Sequence, residues 1–374
     1  MKVLHFFKTY WPDTFGGVER TIHAIAQSTA AYGVETEVLS LSRTPNENTR
    51  RLDGHMARKA RLDFELASTG FSLQVFRKFG ELAGKADLIH YHFPWPFMDL
   101  VHFQSRHGKP SIVTYHSDIV KQRLILPFYQ PLMQHFLKDV DAIVATSPNY
   151  LKSSPVLKAF EAKSTVIPIG IDENAYPAPT EADNDWCRSA VTGPFVLFVG
   201  VLRYYKGLDV LIQAANQLRC KIVIAGSGPI EQQLKLQVAK LRLDNVIFLG
   251  EITEQRKMAL LYACRGFVFP SNQRSEAYGL SLVEAAMCGR AMISCEIGTG
   301  TTYVNEAGLT GLVVPPSDPA RLAEAINRLV DSSEEAERWG RAARDRYASL
   351  FTADRMGKAY AALYSRLVTA AQAE

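Results

Sequence analysis

Residues 266–289 read GFVFPSNQRSEAYGLSLVEAAMCG. The opening is aromatic and β-branched and stops at a proline, the pattern of a short buried strand. A helix is expected to begin near Gly279, after a loop of polar residues. Strand, loop and helix in that order make half of a βαβ unit. The loop then holds Glu276, and Glu284 falls on the second helical turn. A separation of eight does not set two acids side by side on one helix face.

The same alternation runs along the whole chain. Short apolar runs (KVLHFF, TEVLSL, DLIHYH, SIVTYH, AIVATS and TVIPIG, then FVLFVG, KIVIAG, NVIFLG, GFVFPS, AMISC and GLVVPP) are separated by longer helical patterns. Each set of runs suffices for one parallel, Rossmann-like sheet, and 374 residues is length enough for two cores. Between the sets, residues 173–194 are rich in Pro, Ala and acids, lack periodicity and read as a linker. The expected fold is therefore α/β, with two similar domains facing each other across a cleft. Ligands should sit at the C-terminal ends of the strands.

Composition narrows the function. Apolar content of 47% and charged content of 21% are ordinary for a soluble enzyme, and a net charge of +4 gives no reason to expect nucleic acid. The five cysteines show no CxxC spacing, which points to reduced thiols and not to a disulfide frame or zinc site. The N-terminus lacks a signal-peptide pattern and no apolar run is long enough to span a bilayer, so a cytoplasmic chain is expected. Residues 50–85 hold eight Lys or Arg against four acids, interleaved with apolar residues. They read as a solvated helical face or as an amphipathic patch resting on an anionic membrane.

Several residues carry candidate chemistry. Gly16 and Gly17 follow the first strand and open a helix, allowing close backbone approach and free N–H groups for an anion. Arg203 and Lys206, in VLRYYKG, pair a guanidinium fork with a point charge at a strand end, which suits a diphosphate. Gly226 and Gly228 start a GxGxxG pattern, but Glu231 occupies the third glycine position, so they read as a tight turn near phosphate or ribose. Glu276 can face a reacting group, the amides of Gly279, Leu280 and Ser281 can face phosphate, and Glu284 can accept two ribose hydroxyls. Asp183-Asn184-Asp185 spells Asp-x-Asp but stands in the linker and reads as incidental. His90 and His92 read as pointing to opposite faces of their strand, hence as not sharing a metal. Tyr204, Tyr205 and Trp95 read as core or as stacking surfaces.

Taken together, FGGVE, TYHSD, VIPIGID, VGVLRYYKG, AGSGP, SEAYGLSLVEA and GLVVPPSDP resemble the retaining GT-B enzymes of glycosyltransferase family 4, over essentially the full chain. The Glu-x7-Glu element from Glu276 to Glu284 is the most specific mark. The resemblance implies that Arg203 and Lys206 bind the donor diphosphate, Glu284 the ribose, and Glu276 the sugar near its anomeric carbon. It places His116 close to donor sugar and acceptor, with Gly16 and Gly17 against diphosphate and acceptor. Many members carry a Gly-Gly-x-x-Glu loop where this chain has EIGTGTTYVNE (296–306), so the sugar-side contacts of Thr299 and Thr301 stay open. That GTGT form is similar to O-antigen mannosyl- and rhamnosyltransferases of bacteria. The implied activity moves mannose or rhamnose from a nucleotide-sugar, GDP-linked by preference, to a glycan or lipid-linked glycan. No metal or other cofactor is implied; with a lipid-linked acceptor, the basic stretch from Arg50 to Lys85 would help the first domain reach the inner membrane face. The C-terminal helix would cross back to the first domain, giving domains of 1–172 plus 352–374 and of 195–351, with hinge motion near 173–194. Rival readings are a UDP-sugar-dependent transferase, a nucleotide-sugar 2-epimerase, an NAD-dependent dehydrogenase (disfavoured by Glu231) and a non-enzymatic sugar-binding protein.

Overall fold

Every apolar run named above forms a strand. The computed structural model describes residues 1–66, 69–119 and 126–373. They divide into two compact units, Met1–Gly170 with Ala353–Glu374 and Ile171–Thr352.

The first unit is built on β1 (Lys2–Phe6), β2 (Glu35–Ser42), β3 (Arg50–Leu52), β4 (His55–Arg61), a hairpin of β5 (Phe64–Leu66) and β6 (Thr69–Phe71), β7 (Leu88–Phe93), β8 (Ser111–Tyr115), β9 (Ala142–Ala145) and β10 (Ser164–Val166). Eight of these form one sheet in the order β10-β9-β8-β7-β1-β2-β4-β3, parallel except for the β3–β4 pair. All six residues of β7 are buried, as expected of a parallel strand covered on both faces. Helix Ala353–Ala373 closes this unit against helix Gly17–Ala30. The crossing is tight enough that a Cβ on Gly357 would lie 2.5 Å from the Ser28 carbonyl oxygen.

The basic stretch 50–85 departs from the helical-face reading. It is no single helical face: it supplies β3, β4, the hairpin and helix Gln74–Ala83. Lys59 of β4 is fully buried, with Nζ 2.7 Å from Asp13 Oδ2 and donating to the Tyr10 carbonyl and Ser40 hydroxyl. Arg58 pairs with Glu37 at 3.1 Å. Arg61 and Arg77 remain largely exposed.

The second unit carries β11 (Phe195–Val199), β12 (Lys221–Ala225), β13 (Val246–Gly250), β14 (Gly266–Phe269), β15 (Met292–Cys295) and β16 (Gly311–Val314). Their order is β13-β12-β11-β14-β15-β16, every neighbouring pair parallel. That is the doubly wound Rossmann order, and its direction reverses between β11 and β14. The loops leaving those two strands therefore line the crevice where ligands of such sheets bind.

Residues 173–194, read as a linker, belong to this unit. They contain a turn of 3-10 helix (Glu173–Ala175) and an α-helix, Glu181–Ala190, started by a capping box of Thr180 and Asp183. Asp183, half of the Asp-x-Asp, is thus a helix cap. The helix buries only Cys187, so it shows no apolar stripe to read. Among the described residues, no helix is long and apolar enough to cross a membrane.

Candidate active site

In the second unit the loops after β11 and β14 are stitched together. Gly207 adopts φ of 65°, and a Cβ there would sit 2.0 Å from the Pro270 carbonyl oxygen. The Asn272 amide donates to the Tyr205 carbonyl at 3.0 Å. This clasp sets Lys206 Nζ 2.5 Å from Glu276 Oε2, both side chains nearly buried, with the ammonium over the Phe269 ring at 4.6 Å. An ammonium has three N–H donors, so one is spent on Glu276 while the others stay directed by it. Arg203, on the same loop, is exposed and has no ion-pair partner among the described residues. Burial, helped by the Glu276 charge, pushes the Tyr205 hydroxyl up to about 12.

Past Glu276 the chain turns at Gly279, φ 90°, into helix Leu280–Met287, whose first residues are Leu280 and Ser281. The 296–301 loop is pinned to this turn. The Gly300 amide donates to the Ala277 carbonyl at 2.8 Å, and Arg274 donates to the Gly298 carbonyl at 2.9 Å. A Cβ on Gly300 would meet the Tyr278 ring at 2.6 Å, which explains the second glycine of GTGT. Thr299 and Thr301 are buried, with hydroxyls 3.3 Å apart.

Glu284 has two partners that sequence reasoning missed. Its Oε1 accepts from Lys257 Nζ at 2.8 Å and from the Tyr176 hydroxyl at 3.0 Å. Lys257 also reaches Glu254 at 2.7 Å. Burial is the largest single influence on Lys257 and lowers its pKa, but Glu284 and Glu254 together outweigh it and leave it raised. The available signal was a lysine directly before the apolar run Met258–Leu261 of helix Glu254–Ala263; Tyr176 lay in the supposed linker.

Gly226 and Gly228 serve backbone packing. Cβ atoms there would lie 2.2 Å from the Gly200 and 2.4 Å from the Leu202 carbonyl oxygen. The two loops also share a bond from the Leu202 amide to the Ser227 carbonyl at 2.9 Å. These glycines brace the loop that carries Arg203.

In the first unit, Gly17 begins helix Gly17–Ala30 with Gly16 as its cap residue. A Cβ on Gly16 would lie 2.5 Å from Glu19 Oε2, whose partner oxygen accepts from Thr9 and Thr14. His116 follows β8 and is buried, and burial holds its ring down to about 3. His90 and His92 do not point to opposite faces: residues two apart on a strand share one. Their rings stack with centroids 4.3 Å apart, beside His5 of β1.

Two Rossmann-like units, the second with a charged, glycine-framed crevice at its switch point, make the GT-B architecture. The fold is shared with a sucrose-phosphate synthase of Thermosynechococcus elongatus (TM-score 0.81, 23% identity, 99% of each chain). It is shared too with Anabaena HepE, solved with UDP (TM-score 0.78, 19% identity, 98% of this chain and 100% of that one). The model for Glycosyltransferase Family 4 matches residues 15–175, and that for Glycosyl transferases group 1 matches residues 187–346. The chain is 50% identical to the D-rhamnosyltransferase WbpZ of Pseudomonas aeruginosa, over 94% of this chain and 93% of that protein. It is 43% identical to the O-antigen chain mannosyltransferase C of Escherichia coli, over 98% and 99%. The chain belongs to glycosyltransferase family 4 and is a glycosyltransferase.

Proposed function

We propose that this enzyme transfers mannose or rhamnose from a GDP-sugar to the growing glycan of a bacterial O-antigen, with retention at the anomeric carbon and without a metal ion. The sugar and setting are supported by the two full-length relatives, a D-rhamnosyltransferase and an O-antigen mannosyltransferase. The observation that carries the mechanism is the Lys206–Glu276 pair at the switch point of the second sheet. As the sugar leaves, charge grows on the diphosphate; Lys206, aimed by Glu276, and Arg203 stabilise it where it develops. Glu284, held by Lys257 and Tyr176, takes the ribose hydroxyls. The amides from Gly279 to Ser281 complete the anion cradle. Gly16, Gly17 and His116 serve the sugar and acceptor. A diphosphate oxygen accepts the proton of the attacking hydroxyl, which keeps both reactants on one face of the sugar.

Calorimetry with GDP, UDP, ADP and their mannose and glucose conjugates, with and without magnesium, tests this. Metal-independent binding of GDP and GDP-mannose, lost in Glu284→Ala, is expected. Preference for UDP would overturn the donor, and binding of none would overturn the site. Incubation with acceptor and donor, with release of free sugar alone, would favour an epimerase.

The acceptor side carries a second element of the proposal, peripheral contact with the membrane. Phe64 and Leu66 of the hairpin and Leu73 beyond it are exposed, and Arg61 and Arg77 are exposed in the same segment. Apolar side chains that dip below the headgroups, flanked by cations, suit an anionic bilayer. Flotation with vesicles of anionic lipid should recover the protein, and Leu73→Ser with Arg61→Glu should abolish recovery. No recovery of wild type at physiological salt would end this part.

A further inference from the structure

Three buried imidazoles form a line through the first unit. His5 Nδ1 lies 3.0 Å from His92 Nε2, and His92 Nδ1 lies 2.9 Å from His116 Nε2. At the inner end, His5 Nε2 is buried with no hydrogen-bond partner among the described residues. At the outer end, His116 Nδ1 is the ring nitrogen left for a ligand. His90 stacks on the row but stands outside it, its two nitrogens taken by the Tyr364 and Thr114 oxygens at 2.8 and 2.7 Å. Nitrogens of His5, His90 and His92 lie within 4.8 Å of one another, which invites a metal reading. The ring planes argue against it: His90 stacks over His92 at 25° with centroids 4.3 Å apart, while His5 and His92 already meet edge to edge through their 3.0 Å hydrogen bond. Lone pairs lie in the ring planes, so stacked rings do not converge on one ion, and ligation by His90 would break a hydrogen bond already made.

The proton count restricts what this row can do. Burial holds His5 and His116 down to about 3 and His92 well below its usual value, so each ring is neutral at neutral pH and carries one proton. Three protons must serve two inter-ring bonds and one chain end. Only two arrangements satisfy both bonds. In one, every proton is on Nε2, leaving a buried N–H on His5 without an acceptor. In the other, every proton is on Nδ1, leaving only a bare His5 lone pair. An orphaned buried N–H is the rarer and costlier defect. We propose that His5 and His92 are positioning residues that hold His116 with its proton on Nδ1, so that it offers a hydrogen-bond donor to a ligand oxygen and is not a base. The tautomer follows from the row alone; its effect on turnover rests on the sugar-side role given to His116 above.

Full-length protein with nitrogen-15 in its histidine rings tests this without any substrate. Long-range proton–nitrogen correlations should find Nδ1 protonated in His5, His92 and His116. A free histidine ring favours Nε2, so His92→Leu should move His116 toward that tautomer. His92→Asn, whose amide can donate from the Nδ1 position, should restore it. Turnover should follow the tautomer, falling about tenfold in His92→Leu with donor KM little changed and recovering in His92→Asn. A proton on His116 Nε2 in the wild type overturns the proposal, and so does a His92→Leu variant with tautomer and kcat unchanged. Absence of sugar transfer by the wild type would instead overturn the function proposed above, and the spectra would still decide this inference.

Discussion

All nine histidines lie in the first unit and all five cysteines in the second. Both sets are mostly buried, but they do different work. The histidines hydrogen-bond to one another and to Tyr91, Tyr364, Thr114 and Asp139, giving the first unit a polar interior built largely of neutral rings beside the buried Lys59–Asp13 pair. The cysteines are free and buried, and the second unit's polar chemistry sits instead in ion pairs, Lys206–Glu276 and Lys257–Glu284. At the two candidate sites, the ion pairs Lys206–Glu276 and Lys257–Glu284 lie in the unit proposed to hold a diphosphate. Around His116 the first unit instead offers neutral donors and acceptors, which suit hydroxyls.

The largest expected effect separates the two units by acid. Burial depresses His5 and His116 to about 3 and His55 and His107 to about 4, with His23, His90, His92 and His102 also lowered. As pH falls below about 6.5, the unfolded chain takes up protons that the folded rings refuse, so stability falls with it. Hydrogen exchange at stepwise lower pH should show the first unit opening before the second; the reverse order would break the comparison. Thiol labelling reports on the other side. Burial pushes Cys264, Cys288 and Cys295 up to about 12, so no cysteine should react until the second unit unfolds.

Next in size, Lys206→Ala should slow transfer about a hundredfold, an effect of roughly 3 kcal/mol on the barrier. Glu276→Gln, which keeps the shape and a hydrogen-bond acceptor but removes the charge, should fall between wild type and that variant in kcat. A Glu276→Gln variant as fast as wild type would show that the charge pair is not what matters. Lys59→Met tests whether a single buried cation anchors the first unit. It removes bonds to Asp13, Ser40 and the Tyr10 carbonyl, and should cost about 2 kcal/mol in a denaturant titration with kcat little changed. The smallest effect belongs to Gly357→Ala. The added Cβ must push two packed helices apart, for about 1 kcal/mol, and an unchanged melting temperature would mean the crossing is looser than described.

Much of this was legible in the chain. The apolar runs located all six strands of the second sheet and six of the eight in the first, because parallel strands buried on both faces stay largely apolar. Glu276 and Glu284 could be placed because a proline and a glycine bound the loop between strand and helix. What escaped was whatever lacked a period. Strand β4, HMARKAR, looks like a solvated segment because its one inward cation, Lys59, meets its partner Asp13 from a distant loop. Lys257 and Tyr176 escaped for the same reason, since each touches Glu284 only through tertiary structure. The histidine row needed β1, β7 and the residue after β8 in register, although the shared face of His90 and His92 was readable from alternation alone.

The first unit closes only with residues synthesised after the whole second unit. Its sheet is complete by Val166, yet Tyr360 and Tyr364, which cap Thr114 and His90, arrive with helix Ala353–Ala373. A nascent chain must therefore carry an unroofed half-domain through the synthesis of the whole second unit, exposing buried imidazoles and apolar surface to misassembly. A truncation just before Ala353 would therefore spare the second unit and strike the one whose sheet was already made.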